Sequence, residues 1–484
     1  MAEKVRTEKD TLGEVKVPSA AYWGAQTQRA VENFPISGLR ASPALIRAHI
    51  MVKMAAARAN AALGKLGPKL AKAIEDACKE VLAGKLADQW VVDAYQAGAG
   101  TSFNMNTNEV LANRANEILG LPLGSYSPVH PNDHVNMSQS TNDTFPTAMQ
   151  LAAIQEGGPL TEAAELLADA LAAKGQEFDA VIKSARTHLQ DAVPIRLGQE
   201  FTAYSFAIHR SAERIAVALD ECRELPLGGS AAGTGFNTHP DFAAKAVEHL
   251  AEIADTELAP PADLRYAMQS TAAMASVSSA LRLLALELIR IANDLRLLAS
   301  GPRTGLAEIR LPAIQPGSSI MPGKVNPSMA ECLDMVAMQV VGNDAAVALA
   351  TQAGQLELNV MMPLVAHNVL FSIEILRNAM KAFTVRCVRG IEADAERCRG
   401  YFESSAGLAT LLNEHIGYAK AAEIAKLSVK TGKTLRELIL EKGLMTRKEL
   451  DKALEPKRVT EPNDTKQPCH MLPKQGGGQS HDDP

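Results

Sequence analysis

The sequence predicts a mainly α protein, and three observations predict it. Aromatic residues make up only 4% of the 484 residues, whereas all-β domains lean on aromatic and β-branched side chains. Alanine and leucine carry the apolar surface instead, and both are good helix formers. Third, apolar residues recur at steps of three and four over about 270–300: Leu281, Leu284, Leu288, Ile291, Leu295 and Leu298 form a heptad-like seam. Glu287, Arg290 and Asp294 stand at spacings that let them pair along the same helix. At roughly 150 residues per domain, the length suggests about three domains.

Each element follows in order. Residues 1–140 form an N-terminal domain that mixes polar loops with helical patterns at 44–66 and 70–82, punctuated by Gly and Pro. A central bundle is expected over 141–395, with helices at about 143–173, 194–222, 270–300, 329–351 and 357–383. Helices of this length must bury their seams on one another. Small, Ala-rich faces suggest that neighbouring copies complete the core, so a homo-oligomer is expected. A small C-terminal helical domain is expected over 396–455, with helices at 419–431 and 435–442. Residues 456–484 are polar and rich in Pro and Gly, and are expected to be a disordered tail carrying Cys469, His470 and His481.

Charge and cysteine usage narrow the function. Lys plus Arg number 49 and Asp plus Glu 55, a net charge of −6, with no basic stripe of the kind a nucleic-acid binder needs. The six cysteines form no CxxC pair and no zinc-spaced cluster, which reads as reduced, mostly buried thiols in a cytoplasmic protein. The charged start MAEKVRTEKDTLGE lacks the apolar core of a signal peptide. No run of about 18 apolar residues is free of charges, so no membrane span is expected.

Four polar, glycine-bearing segments stand out from the helical background. The first, GAGTSFNMNTNE (98–109), presents Thr101 and several Asn after two glycines that admit close backbone approach; Ser, Thr and Asn are also helix caps. The second, HPNDHVNMSQSTND (130–143), holds His130 and His134 without a third metal ligand at the usual spacing, so no metal is assigned. Its Ser140, Thr141 and Asn142 sit just before a predicted helix, where hydroxyls and amide N–H groups suit a carboxylate; Asp143 is an alternative cap. The third, RTHLQD (186–191), contains His188, a residue that is poised for proton transfer beside a carboxylate and structural otherwise. The fourth, QPGSSIMPGKVNP (315–327), is a Gly- and Pro-marked loop with Ser318, Ser319, Lys324 and Asn326, followed by Glu331. It reads as a mobile lid between two long helices, and its glycines match neither a P-loop nor a dinucleotide fingerprint.

Hydroxyls, amides, one Lys and a His can bind a small dianion. The GxSxG motif of a nucleophilic serine hydrolase is absent. A loop serine can instead act as a base, taking a proton α to a carboxylate while preorganised donors hold the enediolate.

At these segments the chain resembles the aspartase/fumarase superfamily. GSSIMPGKVNP is very close to that superfamily's signature, and YWGAQTQRAVENFPISG (22–38) and LGGSAAGTGFNTHP (227–240) resemble it too. The resemblance runs from about residue 6 to about residue 454. It implies a three-domain fold around a long central helical bundle, and a homotetramer whose active sites each draw on three subunits. It also implies reversible trans elimination yielding fumarate or a related product from a small dicarboxylate substrate, with no cofactor. Carried over by motif, Ser318 is the general base. Lys324 and Asn326 bind one carboxylate with Thr187 nearby, and Thr101, Ser140, Thr141 and Ser319 bind the other. Asn142 and His188 lie near the leaving group, which Thr101 also reaches, and His188 pairs with Glu331. HPNDH resembles a second, non-catalytic carboxylate site, here His130, Asn132 and Asp133.

Two branches of the superfamily compete. GTSFNMN, QSTND, the stretch at 296–319 and GQLELNVMMP resemble the branch that eliminates ammonia from aspartate, and the GTS and STN segments among them adjoin the expected site. WGAQTQ, HPNDHVN and NTHP resemble the branch that hydrates fumarate. Some distant relatives are non-catalytic structural proteins; retention of Ser318 and Lys324 speaks against that reading.

Overall fold

The computed structural model describes residues 4–405 and 407–462. Cys469, His470, His481 and the rest of the expected tail beyond 462 lie outside the described residues.

The chain divides into two compact units interleaved in sequence rather than laid out as consecutive blocks. The first comprises Met1–Ala170, Tyr204–Leu297 and Leu311–Gly390; the second comprises Leu171–Ala203, Leu298–Arg310 and Ile391–Pro484.

In the first unit, strands β1 (Val5–Asp10) and β2 (Gly13–Pro18) form an antiparallel hairpin with Val5 opposite Pro18. Val15, Val17, Ala21 and Ala25 cluster beneath it against Trp23. Helices α1 (Ala25–Asn33), α2 (Pro43–Ala62), α3 (Pro68–Leu82) and α4 (Thr101–Ile118) follow. α2 and α3 each begin with proline, whose missing N–H and fixed φ suit the first helical turn; Ser42 caps α2 by accepting the Ala44 N–H. Arg58 of α2 meets Glu75 of α3 at 2.7 Å, and Lys79 reaches the same carboxylate. Burial pushes the Glu75 carboxyl up, but hydrogen bonds from Arg58 and Lys79 outweigh it and bring it down to about 2.

The long helices are α5 (Thr141–Glu177), α6 (Leu197–Asp220), α9 (Ala272–Leu298), α10 (Ser328–Gln352) and α11 (Met362–Arg386), with the shorter α7 (Phe242–Ala254) and α8 (Leu264–Gln269) between α6 and α9. The unit boundaries fall inside α5, α6 and α9. The expected seam of α9 is buried at every position from Leu281 to Leu298. On its outer face Arg290 pairs with Glu287 at 2.8 Å. α10 and α11 pack on each other, as do α2 and α7. By length and composition α9 and α10 are apolar enough to cross a membrane. Both are core helices in part, and Arg282 of α9 is paired with Asp344 of α10 at 2.7 Å.

The second unit holds two features absent from the sequence-based expectation. One is the antiparallel hairpin β3 (Ile182–Thr187) and β4 (Gln190–Arg196). Another is the short pair β5 (Ile309–Arg310) and β6 (Glu392–Ala393). The rest is helical: α12 (Ala395–Ser404), α13 (Leu408–Ile416), α14 (Tyr418–Thr431), α15 (Leu435–Glu441), α16 (Arg447–Ala453) and α17 (Pro456–Thr460). Ile182, Phe402, Leu412, Ile424, Leu435, Ile439 and Leu450 form its core. α15 and α16 start with reciprocal capping boxes, Thr434 with Glu437 and Thr446 with Glu449.

The start of the expected tail needs correction. Residues 456–460 form α17, the Thr460 carbonyl accepts from Gln199, and Glu461 pairs with Arg196 of β4 at 2.6 Å. Pro456 at the first helical position and these polar anchors order a segment that carries little apolar surface. Cys78, Cys222, Cys387 and Cys398 are buried free thiols, and Cys332 is exposed.

Candidate active site

The first unit brings two of the four segments together. Gly98–Gly100 is a tight turn that leads directly into α4 at Thr101. Gly100 has φ of 85°, and a Cβ there would lie 2.2 Å from the Phe145 ring of α5. Only glycine fits this conformation and this approach. Phe103 meets the same ring edge-on at 5.7 Å. The N-terminus of α4, with Thr101 exposed, therefore lies beside that of α5, with Ser140, Thr141 and Asn142. Each helix start presents a positive dipole end, which favours an anion, while the Phe103 and Asn142 N–H groups are taken by the Gln96 and Ser140 side chains.

Capping chemistry and site chemistry overlap at α5. The Ser140 hydroxyl accepts the Asn142 N–H, and Asp143 accepts the Ser140 N–H at 2.9 Å. Ser140 is therefore the residue that caps α5, and Asp143 in its first turn reaches back to the Ser140 N–H. Its other carboxylate oxygen accepts the N–H groups of Gly228 and Ser230 at 3.1 and 3.0 Å. Burial pushes the Asp143 carboxyl up to about 7, against these hydrogen bonds.

A buried polar knot supports this floor, and the sequence reading missed it. Lys53 of α2 has no exposure and donates to the side-chain oxygens of Asn136 and Gln139, both at 3.0 Å. The same Asn136 oxygen accepts from Asn104 and Asn108 of α4. Burial brings Lys53 down to about 7. His49, one turn earlier, is held far below its ordinary value by burial and by Lys53, and meets the Thr107 hydroxyl at 2.9 Å. A lysine in an Ala-rich helix reads as a surface residue; only the two facing amides mark it otherwise.

The glycine-rich loop forms its own group. The Ser318 hydroxyl oxygen accepts N–H groups from Ile320 at 3.2 Å and Met321 at 3.0 Å. The Gly317 N–H donates to the Lys324 carbonyl, and the Asn326 side chain donates to the Gly317 carbonyl, each at 2.7 Å. A Cβ on Gly317 would stand 2.6 Å from the Lys324 carbonyl oxygen. Lys324 and Ser319 are exposed, and Glu331 follows in the first turn of α10. Among the described residues, no hydrogen bond or ion pair engages the Lys324 ammonium or joins this loop to the α4–α5 pair.

Thr187 and His188 belong to the second unit, at the tip of the β3–β4 hairpin, and both are exposed. His188 and Leu189 adopt φ of 56° and 60°, the left-handed pair of a tight two-residue hairpin turn. Neither is the Asn or Gly such a turn prefers, so the hairpin gave little signal in sequence. Its base is fixed by buried charge: Lys183 meets Glu308 at 2.7 Å and Glu200 at 3.0 Å, and Arg186 meets Glu308 at 2.9 Å.

Asn132 and Asp133 line a cleft of about 620 Å³ with Lys65, Asn136 and His239. His130 turns to the backbone, its Nδ1 accepting the N–H groups of Asn132 and Asp133 at 3.3 Å. Among the described residues no group of three or more His, Cys, Asp or Glu is placed to hold a metal ion.

Comparison with known proteins gives a consistent picture. A lyase family model matches residues 13–342, and a model of the fumarase C C-terminus matches 408–461. An aspartate ammonia-lyase of Bacillus subtilis is 49% identical over 460 residues, 95% of this chain and 97% of that protein. A class II fumarate hydratase of Neisseria meningitidis is 48% identical over 458 residues, covering 94% and 99%. A crystal structure described as fumarate lyase:delta crystallin from Brucella melitensis, bound to cobalt, superposes with a TM-score of 0.92 at 49% identity, over 95% of this chain and all of that one.

Proposed function

This chain belongs to the aspartase/fumarase superfamily and is a lyase, and from that premise we propose that it eliminates ammonia from L-aspartate to give fumarate, reversibly. The observation that carries the chemistry is the pair of backbone N–H groups directed at the Ser318 oxygen. Two donors on a hydroxyl oxygen stabilise its alkoxide and make it a competent base. Ser318 removes the C3 proton, and the electrons pass into the adjacent carboxylate as a doubly charged aci-carboxylate. Lys324 and Asn326 hold one substrate carboxylate, with Thr187 beside it. Thr101, Ser140, Thr141 and Ser319 hold the other carboxylate. The C–N bond then breaks and ammonia leaves beside Asn142 and His188. Ammonia needs less help from a general acid than hydroxide does.

The shared site of the superfamily is proposed here as well, in a homotetramer with three subunits contributing to each centre. Apolar residues left exposed on the long helices, among them Phe206, Val217, Met335 and Leu349, support such an assembly. Asn132 and Asp133, with His130 behind them, are proposed as a second carboxylate site. A cytoplasmic location fits this activity.

A second reading, class II fumarate hydratase, is favoured by the simultaneous presence of His188 and Glu331, the relay a leaving hydroxide needs. The test is direct. Purified protein is given L-aspartate or L-malate, and fumarate absorbance is followed. Fumarate from aspartate is expected; rapid fumarate from malate with none from aspartate replaces the first reading with the second.

A further inference from the structure

The GQLELNVMMP segment (354–363) takes no part in the proposed chemistry, yet it carries a side-chain amide with no exposure, that of Asn359. The segment leads from α10 into α11. The Asn359 Nδ2 donates to the Ala350 and Thr351 carbonyls at 3.0 and 3.1 Å, and meets the Thr271 hydroxyl oxygen, just ahead of α9, at 3.4 Å. Those two carbonyls lie in the last turn of α10, where intrahelical donors run out. The Oδ1 end accepts the Met361 N–H at 2.9 Å, at the start of α11. One side chain thus ties three long helices at one end, and both ends of its amide are committed.

Val360 stands between Asn359 and Met361 and is fixed by that arrangement. Its carbonyl accepts the Ala99 N–H at 2.8 Å. A Cβ on Gly98 would stand 3.1 Å from the Val360 Cβ, so the two segments are in close contact. Ala99 takes φ of 61°, a left-handed conformation that a residue with a Cβ keeps only where its surroundings impose it. The Val360 carbonyl is the partner that imposes it. The turn ends at Thr101, whose hydroxyl donates to the Gly98 carbonyl at 3.3 Å. Asn359, Val360, Ala99 and Thr101 therefore form a continuous path within the first unit, from the helix ends to a proposed substrate contact.

We infer that Asn359 is a positioning residue that, through the Val360 carbonyl, sets the place of the Thr101 hydroxyl against a substrate carboxylate. The inference rests on the carboxylate role proposed for Thr101 and is independent of whether ammonia or water leaves. Asn359 touches no substrate. A residue that only capped α11 would need its Oδ1 alone; the Nδ2 bonds to α10 are what hold Val360 against the turn.

The test uses Asn359→Asp in the full-length chain. The carboxylate keeps an acceptor for the Met361 N–H and turns a second acceptor toward the Ala350 and Thr351 carbonyls, so the α11 cap stays and the tie to α10 is lost. Calorimetry follows succinate, a dicarboxylate without a leaving group, in Asn359→Asp, in Thr101→Val and in the double variant. Thr101→Val should weaken succinate binding about 10-fold or more, the worth of a hydrogen bond to a charged group. Asn359→Asp should weaken it about 3- to 10-fold, part of that same bond. The double variant should bind within about twofold of Thr101→Val, because a residue acting through Thr101 then has nothing left to position. Losses that multiply in the double variant, or unchanged affinity in a folded Asn359→Asp, overturn the inference. Should Asn359→Asp fail to fold, Gly98→Ala presses the turn away from Val360 and enters the same cycle. A Thr101→Val variant that binds succinate like the parent removes the carboxylate role of Thr101 and the inference with it; that result is distinct from losses that multiply beside an impaired Thr101→Val.

Discussion

The chemistry of this protein is concentrated in single polar groups whose partners have been chosen by backbone. Ser318 accepts two N–H groups from its own loop, an arrangement that the proposed base would need before any ligand arrives. The prediction at this scale is that Ser318→Ala lowers kcat by about three orders of magnitude or more, because the group acts in the transition state. Succinate affinity should change only a few-fold, and steady-state kinetics with calorimetry will show whether it does. Turnover near that of the unaltered chain would remove Ser318 as the base. Most proposed site residues were legible in sequence because their short motifs are polar, glycine-rich and out of place in a helical chain. Lys53 and Asp143 were not legible as supports. Their roles depend on Asn136, Gln139 and the 228–230 backbone, far away in sequence.

Helices and hairpins differ in how much of themselves they declare. The α9 seam was readable because one heptad pattern decides one buried face, and each of its six positions is buried. The β3–β4 hairpin was not, since its turn is built from His188 and Leu189 rather than from turn formers. What secures it is the Lys183–Glu308–Arg186 cluster, in which Glu308 is wholly buried. Replacing Glu308 by Gln leaves Lys183 and Arg186 short of a counter-charge. The expected cost is about 3 kcal/mol, the lower end for breaking a buried ion pair. Urea unfolding of the variant beside the parent measures it, and a loss under about 1 kcal/mol would show that the cluster does not anchor the hairpin.

Across the whole molecule, the chain order and the architecture diverge. Two units interleave, so a segment read as linear domains returns twice to each. The C-terminal stretch shows the consequence. Residues up to Glu461 are tied to Arg196 of β4 and Gln199 of α6, so the ordered chain runs further than composition suggests. Ending the chain at Pro462 should leave the melting temperature and turnover unchanged. Ending it at Glu455 should lower the melting temperature by about 2 °C or more, in line with the loss of roughly 1 kcal/mol. Differential scanning calorimetry of both truncations decides this; equal melting for the two would mean that α17 contributes nothing to stability.

By itself the sequence determined the helical class, the buried seam of α9, the four polar segments and the membership that they signal. All of these rest on local periodicity or on contiguous motifs, and a short stretch of chain carries that information whole. Tertiary structure alone decided which helix starts lie side by side, which lysine is buried, which carbonyl holds the turn before Thr101, and how the hairpin bearing His188 is held. Each of those depends on a partner supplied by a distant part of the chain. The energy of a buried polar group is set by that partner and not by its neighbours in sequence.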